Sequence, residues 1–212
     1  MILKDYYWFF KSAIPGKVCQ QIIDSALEKQ QLRAITGVEA TKLKQTKKLS
    51  KKDSLDLKKR RHSNVVWMDE PWIYNLIQPF IKEANQNSNW NFQWDWSEVA
   101  QFTIYNKKQH YDWHSDSWNQ PYNCPNVPHK HGRVRKLSVT VSLSDPKDYK
   151  GGDLEFDFRN HPLKSTNKLA CTQIKPRGSI VVFPSFLWHR VKPVISGTRY
   201  SLVLWNIGFP FK

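Results

Sequence analysis

The sequence predicts a mainly β fold, a double-stranded β-helix of the jelly-roll, cupin-like kind, supported on one side by N-terminal helices. Three observations predict it. The hydrophobic period changes from about 3.6 to 2 near residue 91. From there onward some eight short apolar runs are separated by Gly and Pro, and 212 residues with 14% aromatic side chains suffice for one well-filled core. One domain is expected over 1–212, with helical support and a basic insertion within 1–90 and the β core in 91–212.

The elements follow in order. Ser12-Ala13-Ile14-Pro15-Gly16 reads as a helix start, and Val18, Ile22, Ile23, Ala26 and Leu27 recur at helical spacing. Leu32 to Val38 alternates weakly as a short strand, and Ser63 to Met68 reads as another. Pro71 opens a second helix with Trp72, Leu76, Ile77, Phe80 and Ile81 on one face, reaching about Asn85. Phe92, Trp94 and Trp96, then Val99, Phe102 and Ile104, suggest one or two strands. Asn119 to Gly132 is a Pro-rich loop placed to cover a substrate. Lys136 to Leu143 alternates closely, setting Leu137, Val139 and Val141 on one face and Ser138, Thr140 and Ser142 on the other, a small polar face suited to a ligand chamber. Gly151 to Phe158, Leu169 to Ile174, Arg177 to Pro184, Trp188 to Val194 and Thr198 to Ile207 complete the strands, with Ile195-Ser196-Gly197 as a turn.

Composition excludes several classes. The aromatic content rules out a disordered chain, and no apolar run of about eighteen residues or charged-then-apolar leader is visible, so a cytoplasmic protein without membrane contact is expected. A monomer is expected. Cys19, Cys124 and Cys171 are odd in number and share no metal spacing, which reads as free thiols. The net charge of +15 is concentrated: Thr41 to Arg61 holds ten Lys or Arg against two Asp. That segment is either a solvated flexible loop or a basic clamp for nucleic acid or an acidic partner, and it contains no aromatic residue to stack on bases.

His114 and Asp116 stand two apart at a strand end, so their side chains share a face and can hold one metal ion. A distal His189, beyond the Gly178-Ser179-Ile180-Val181-Val182-Phe183-Pro184 run, supplies the third ligand. Two imidazoles and one carboxylate leave half an octahedron open, the arrangement of non-heme Fe(II) oxygenases. Zinc hydrolysis uses similar ligands but gives no reason for Arg199, ten residues past His189. A guanidinium there suits the far carboxylate of 2-oxoglutarate, with Tyr105 as a phenolic partner. Trp113, Trp118 and Trp188 flank the ligands and read either as substrate wall or as core packing. Cys124, His129 and His131 lack a convincing fourth ligand for a second metal.

Tyr105, Tyr111-x-x-His114-x-Asp116, Arg135-Lys136-Leu137-Ser138, Tyr149-x-Gly151-Gly152-x-Leu154, Pro176-x-Gly178-Ser179, Phe183-Pro184-Ser185, His189 and Gly197-x-Arg199-x-Ser201 with Trp205 closely resemble the prolyl 4-hydroxylase-like family of Fe(II)/2-oxoglutarate dioxygenases. The resemblance covers roughly residues 98 to 207. It implies His114, Asp116 and His189 as iron ligands, Arg199 and Tyr105 as 2-oxoglutarate contacts, Ser142 and Leu154 as lining of the cosubstrate pocket, and Tyr111 as an active-site wall. Trp113, Arg135 and Trp188 are further substrate candidates. The implied cofactors are Fe(II), 2-oxoglutarate and O2, with ascorbate as an optional reductant. The implied reaction is hydroxylation of a C–H bond, foremost of a prolyl residue in a peptide or protein, with release of succinate and CO2. Asn106 to His110 replaces the family's glycine-rich step, and many members carry Lys at the position of Arg199, which points away from a collagen-type substrate. Two alternatives remain: oxidative demethylation of nucleic acid guided by the basic segment, and a non-catalytic binding barrel. Against the first, nucleic-acid dealkylases carry a second arginine shortly after the first, and Ser201-Leu202-Val203-Leu204-Trp205 has none. Against the second stands the complete ligand set.

Overall fold

The structure, a computed structural model, describes residues 3, 5–37, 40, 43, 48–118, 120–158 and 168–211. Two antiparallel sheets face each other. The larger takes the order β1 (Trp8–Phe10), β12 (Ile180–Pro184), β8 (Val134–Ser142), β15 (Arg199–Gly208), β6 (Ala100–Tyr105), β4 (Asn64–Met68), β2 (Leu32–Arg33), with β5 (Trp96–Ser97) added to β15. The smaller runs β11 (Lys168–Ala170), β10 (Leu154–Asp157), β13 (Trp188–Val191), β7 (His110–His114), β3 (Arg61–His62). A third ribbon joins β9 (Tyr149–Gly151) to β14 (Val194–Gly197). This is the double-stranded β-helix, and the turn expected at Ile195 to Gly197 is instead part of β14.

Alternation along the large sheet separates two cores. Phe102, Ile104, Leu137, Val139, Val141, Ile180, Val182, Leu202 and Leu204 point to the helices. There they meet α1 (Gly16–Leu27), through Cys19, Ile22, Ile23 and Ala26, and α3 (Pro71–Asn87), through Ile73, Ile77, Ile81 and Ala84. The face of α3 is thus centred on Ile73 and Ile77, one residue round from the expected Trp72 and Leu76, both half-buried at its margin. The opposite face of the large sheet carries Val181 and Phe183, packed on Leu154, Phe156 and Val191 of the small sheet. Around the chamber the same face also carries polar residues, Gln101 and Thr103, Ser138, Thr140 and Ser142, Arg199 and Ser201.

Half of the basic segment is not a loop. Positions 41, 42 and 44–47 lie outside the described residues, as does part of the expected strand at 32–38, but Lys51–Arg60 forms helix α2. Ser50 caps it, its Oγ accepting from Asp53 N at 3.0 Å, and Lys58, Lys59 and Arg60 sit in the last turn, where cations favour the helix dipole. Leu57 is fully buried beneath it. The helix feeds directly into β3, and His110 Nε2 bonds the Lys59 carbonyl at 2.8 Å, fixing the helix end beside β7. The three cysteines are unpaired. No described helix is long and apolar enough to cross a membrane.

Ile77 is fully buried between α3 and the large sheet, whereas Leu55 on α2 is 62% exposed. Ile77→Ala should cost about 2–5 kcal/mol in urea unfolding through lost transfer energy and a cavity. Leu55→Ala should stay within about 0.5 kcal/mol of the parent.

Candidate active site

The metal-ligand candidates converge in the small sheet. β13 pairs antiparallel with β7 so that His189 stands directly opposite His114, their ring centres 4.2 Å apart. Asp116 follows two residues after His114, and its backbone N–H donates to the Ser185 carbonyl at 2.9 Å. Its carboxylate lies 3.7 Å from His114 Nε2 and 3.5 Å from His189 Nε2. Ser138 Oγ, from the large sheet, donates to Asp116 Oδ2 at 2.8 Å and also meets Ser185 Oγ at 2.9 Å. The carboxylate therefore bridges the two sheets.

Each imidazole is oriented through its other nitrogen. His114 Nδ1 bonds the Asp112 carbonyl at 2.7 Å and His189 Nδ1 the Leu187 carbonyl at 3.0 Å. A carbonyl can only accept, so Nδ1 carries the proton and the Nε2 lone pair points into the cluster. Burial, then the neighbouring His189, brings His114 down to about 3, so it is neutral near pH 7. Burial opposes ionisation of Asp116, but His189, His114 and Arg135 outweigh it and hold the carboxyl at about 2. Neutral imidazole and ionised carboxylate are the states a metal requires. The donor atoms of His114, Asp116 and His189 all lie within 4.8 Å of one another, and among the described residues no other His, Cys, Asp or Glu group does this.

Arg199, on β15, stands in register with Tyr105 on β6 and is only 2% exposed. Its Nη1 donates to Ser201 Oγ at 3.3 Å, and its guanidinium carbon lies 5.5 Å from the Tyr105 ring centre. Gly152 makes room for it: a Cβ there would lie 2.9 Å from Arg199 Cδ, at a φ of +66° that favours glycine. Burial pushes the Tyr105 phenol up, with Arg61 and Arg199 pulling the other way, so its hydroxyl keeps a proton to donate.

The chamber is lined by the ligands, Tyr105, Tyr111, Leu154 and Arg199 as expected, and also by Arg61, Gln101, Thr140, Val191, Ser201, Val203 and Trp205. Ser142 is not among them; its buried hydroxyl lies further along β8, without a partner, and Thr140 takes the lining position. Trp113 and Trp188 are not chamber walls either. Each adjoins a ligand histidine in a strand, so the period of two turns it to the outer face, where Trp113 packs under Arg190 at 4.6 Å. Arg135 is not free for substrate. Glu98 holds its Nε, Nη1 lies 4.0 Å from Asp116 Oδ1, and Trp205 and Trp118 flank the guanidinium at 3.9 and 4.9 Å.

Arg61 is the residue that sequence reasoning missed. It is 6% exposed, lies opposite Tyr111 in the β3–β7 pair, and sets its guanidinium 4.4 Å above that ring. Tyr111 in turn stacks on His114 at 3.5 Å. About 30 Å³ of free space remains in the chamber, roughly one water's share of the liquid. Arg61 is held there by its contact with the Tyr111 ring and one 3.3 Å bond to Ser63 Oγ.

The sequence profile described as "2OG-Fe(II) oxygenase superfamily" matches residues 100–206. The chain belongs to that superfamily. A PKHD-type hydroxylase of Synechococcus sp. (strain CC9902) is 38% identical over 95 residues, 45% of this chain and 35% of that protein. One from Pseudomonas fluorescens is 36% identical over 98 residues, 45% and 37% of the two chains. This oxygenase chain thus spans about a third of the length of the curated relatives it matches. In three dimensions it is similar to the viral collagen prolyl hydroxylase from Paramecium Bursaria Chlorella virus-1, with TM-score 0.62, 20% identity and 97% of each chain covered. It is also similar to a Trichoplax adhaerens prolyl hydroxylase in complex with a hypoxia inducible factor peptide fragment, with TM-score 0.65, 15% identity, and 96% and 84% covered. The donor set found here, two imidazoles and a carboxylate, fits the Fe(II) of an oxygenase of this superfamily.

The protonation states carry a pH prediction for the metal-free protein. His114 at about 3 and Asp116 at about 2 both lie below their ordinary values of 6.5 and 3.8. Between folded and unfolded values the unfolded chain binds more protons, so stability falls as pH drops below about 6.5. The thermal midpoint of metal-free protein should decline from about pH 7 to pH 4, and His114→Asn should flatten that slope. A wild-type profile without decline would contradict a buried neutral His114.

Proposed function

We propose that this chain is an Fe(II)- and 2-oxoglutarate-dependent dioxygenase that hydroxylates a C–H bond of a prolyl residue in a peptide or protein. The observation that carries the reading is the juxtaposition of His114, Asp116 and His189 with Arg199, a buried guanidinium that has no carboxylate in ion-pair contact among the described residues. A buried cation without an anion is costly, and a dicarboxylate cosubstrate supplies the missing partner.

In this reading His114, Asp116 and His189 hold Fe(II), and Arg199 with Ser201 holds the far carboxylate of 2-oxoglutarate. Tyr105 donates a hydrogen bond to the same ligand, and Leu154 and Val191 close the apolar side of its pocket. When bound, iron and 2-oxoglutarate supply the oxidising power that converts C–H to C–OH, consuming O2 and releasing succinate and CO2. The chain's own residues orient and exclude. Ser138 and Ser185 fix the Asp116 carboxylate, the Asp112 and Leu187 carbonyls fix the imidazole tautomers, and Arg61 over the Tyr111 ring covers His114. The prolyl assignment is supported by the structural neighbours that are prolyl hydroxylases, one of them seen with a peptide fragment.

Incubation with Fe(II), 2-oxoglutarate, O2 and a prolyl peptide library should add one oxygen to peptide by mass spectrometry, with matching succinate. His114→Ala should abolish both products. Arg199→Ala should raise the 2-oxoglutarate requirement by about 10- to 100-fold, the equivalent of losing one charge-assisted bond pair. Succinate formation without any oxygenated prolyl peptide would sink the proline assignment and leave the oxygenase; equal activity in both variants would sink the site.

A further inference from the structure

A groove of about 1010 Å³, larger than the metal chamber, runs between α3 and β5, walled by Pro71, Tyr74, Trp94, Trp96, Val99 and His129. A second hollow of about 380 Å³ adjoins it, sharing Trp96, Val99 and His129 and adding Trp67 and Trp205. Trp205 also lines the metal chamber. The two outer hollows thus adjoin, and Trp205 stands between them and the chamber. Along them Trp67, Val99 and Trp96 are 46%, 45% and 47% exposed, and Trp96 packs against His129 at 4.6 Å. Large apolar side chains gathered beside a reactive centre mark a surface that is covered in use.

The charge of the hollows selects their occupant. Asp69, Asp95 and Glu98 face them against Lys82, Lys130 and Arg135, a net of zero, in a chain of formal charge +15. Glu98 already binds Lys130 and Arg135. A nucleic acid needs a positive track for its phosphates, and the described residues that line these hollows supply none. Aromatic walls over the amides of Asn75 and Gln78 suit an extended polypeptide, whose apolar side chains stack while its backbone finds donors and acceptors.

We propose that the Trp67–Trp96–His129 groove is a second substrate-binding site, which holds the polypeptide segment flanking the residue that enters the metal chamber. This rests on the polypeptide-substrate reading above and adds what that reading does not contain: affinity set by a segment remote from the hydroxylated residue. Trp96 is the anchor, being reachable from both hollows.

The test compares two libraries with one central proline, of about five and about twenty residues, the longer spanning well beyond the chamber at about 3.3 Å per residue. For the wild type, KM should be at least tenfold lower for the long peptides. Trp96→Ala should bring the ratio of the two KM values close to one, and Trp96→Phe should restore most of it; Trp96 is half-exposed, so both variants should fold, which thermal unfolding checks. Equal KM values for long and short peptides in the wild type would overturn the inference. So would a Trp96→Ala effect that is the same on both libraries, as a general structural role predicts. If an oligonucleotide, and not the long peptide, quenches the tryptophan fluorescence that Trp96→Ala removes, the occupant is wrong. If the wild type oxygenates neither library, the polypeptide reading itself fails and takes the groove assignment with it.

Discussion

The pairing of His189 with His114 across β13 and β7 is the constraint on which the rest of the site depends. A strand has a period of two, so a slip of one residue would send either histidine to the outer face and bring a tryptophan inward. The bulge between His189 and Val191 then lets Val191 pair with Tyr111, keeping both toward the chamber although the strands have drifted by a residue. Asp116 adds the third ligand from beyond the strand end, where ladder pairing no longer dictates direction. It is held instead by Ser185 through the backbone and by Ser138 through the side chain. The metal cluster is therefore also a join between the two sheets.

Two buried arginines set the electrostatics around that join. Arg199 and Arg61 both act on Tyr105, and neither meets a carboxylate among the described residues. Desolvating a guanidinium without an anion costs several kcal/mol, far more than a surface ion pair returns. The helices and the large sheet offset that cost with an extensive apolar core on the other face. Arg135 shows the opposite arrangement: less deeply buried, it is neutralised by Glu98, which also takes Lys130 and the Tyr122 hydroxyl. Paired arginine builds the wall; under the proposed function the Arg199 guanidinium, without a carboxylate among the described residues, is the one that meets a ligand.

Much of this was legible in the sequence, for reasons that particular residues make plain. The alternation from Lys136 to Leu143 sorts the apolar and polar faces of β8 correctly, because both faces are buried and only one meets a ligand. His114, Asp116, His189 and Arg199 were readable because each is a rare type at a strand end or start, where local pattern and chemistry agree. Trp113 and Trp188 were misread for want of the same logic, since a neighbour of an inward ligand must face out. Ser142 and Thr140 share a face, and only the register with Val203 and Ser201 decides which one meets the chamber. Arg61 was hidden differently: it ends a run of ten basic residues, nine of which carry no local mark that sets them apart from it. Its inward turn depends on β3 pairing with β7, a contact fifty residues away in sequence.

The location of the positive charge bears on what the chain recognises under the proposed function. Were the basic run a phosphate clamp, its cations should be displayed toward the chamber mouth together with stacking surfaces. Instead the capped helix α2 places Lys58, Lys59 and Arg60 at its own C-terminus, where they serve the dipole, and turns Arg61 beneath the surface. The stacking surfaces, Trp67 and Trp96, occur where the local charges cancel. Among the described residues the aromatic platform and the cations of α2 thus belong to different elements, whereas single-strand binders superimpose such groups. Under the proposed function, a substrate lying along these aromatic side chains would need its own backbone polarity and little net charge, which describes a polypeptide better than a polyphosphate.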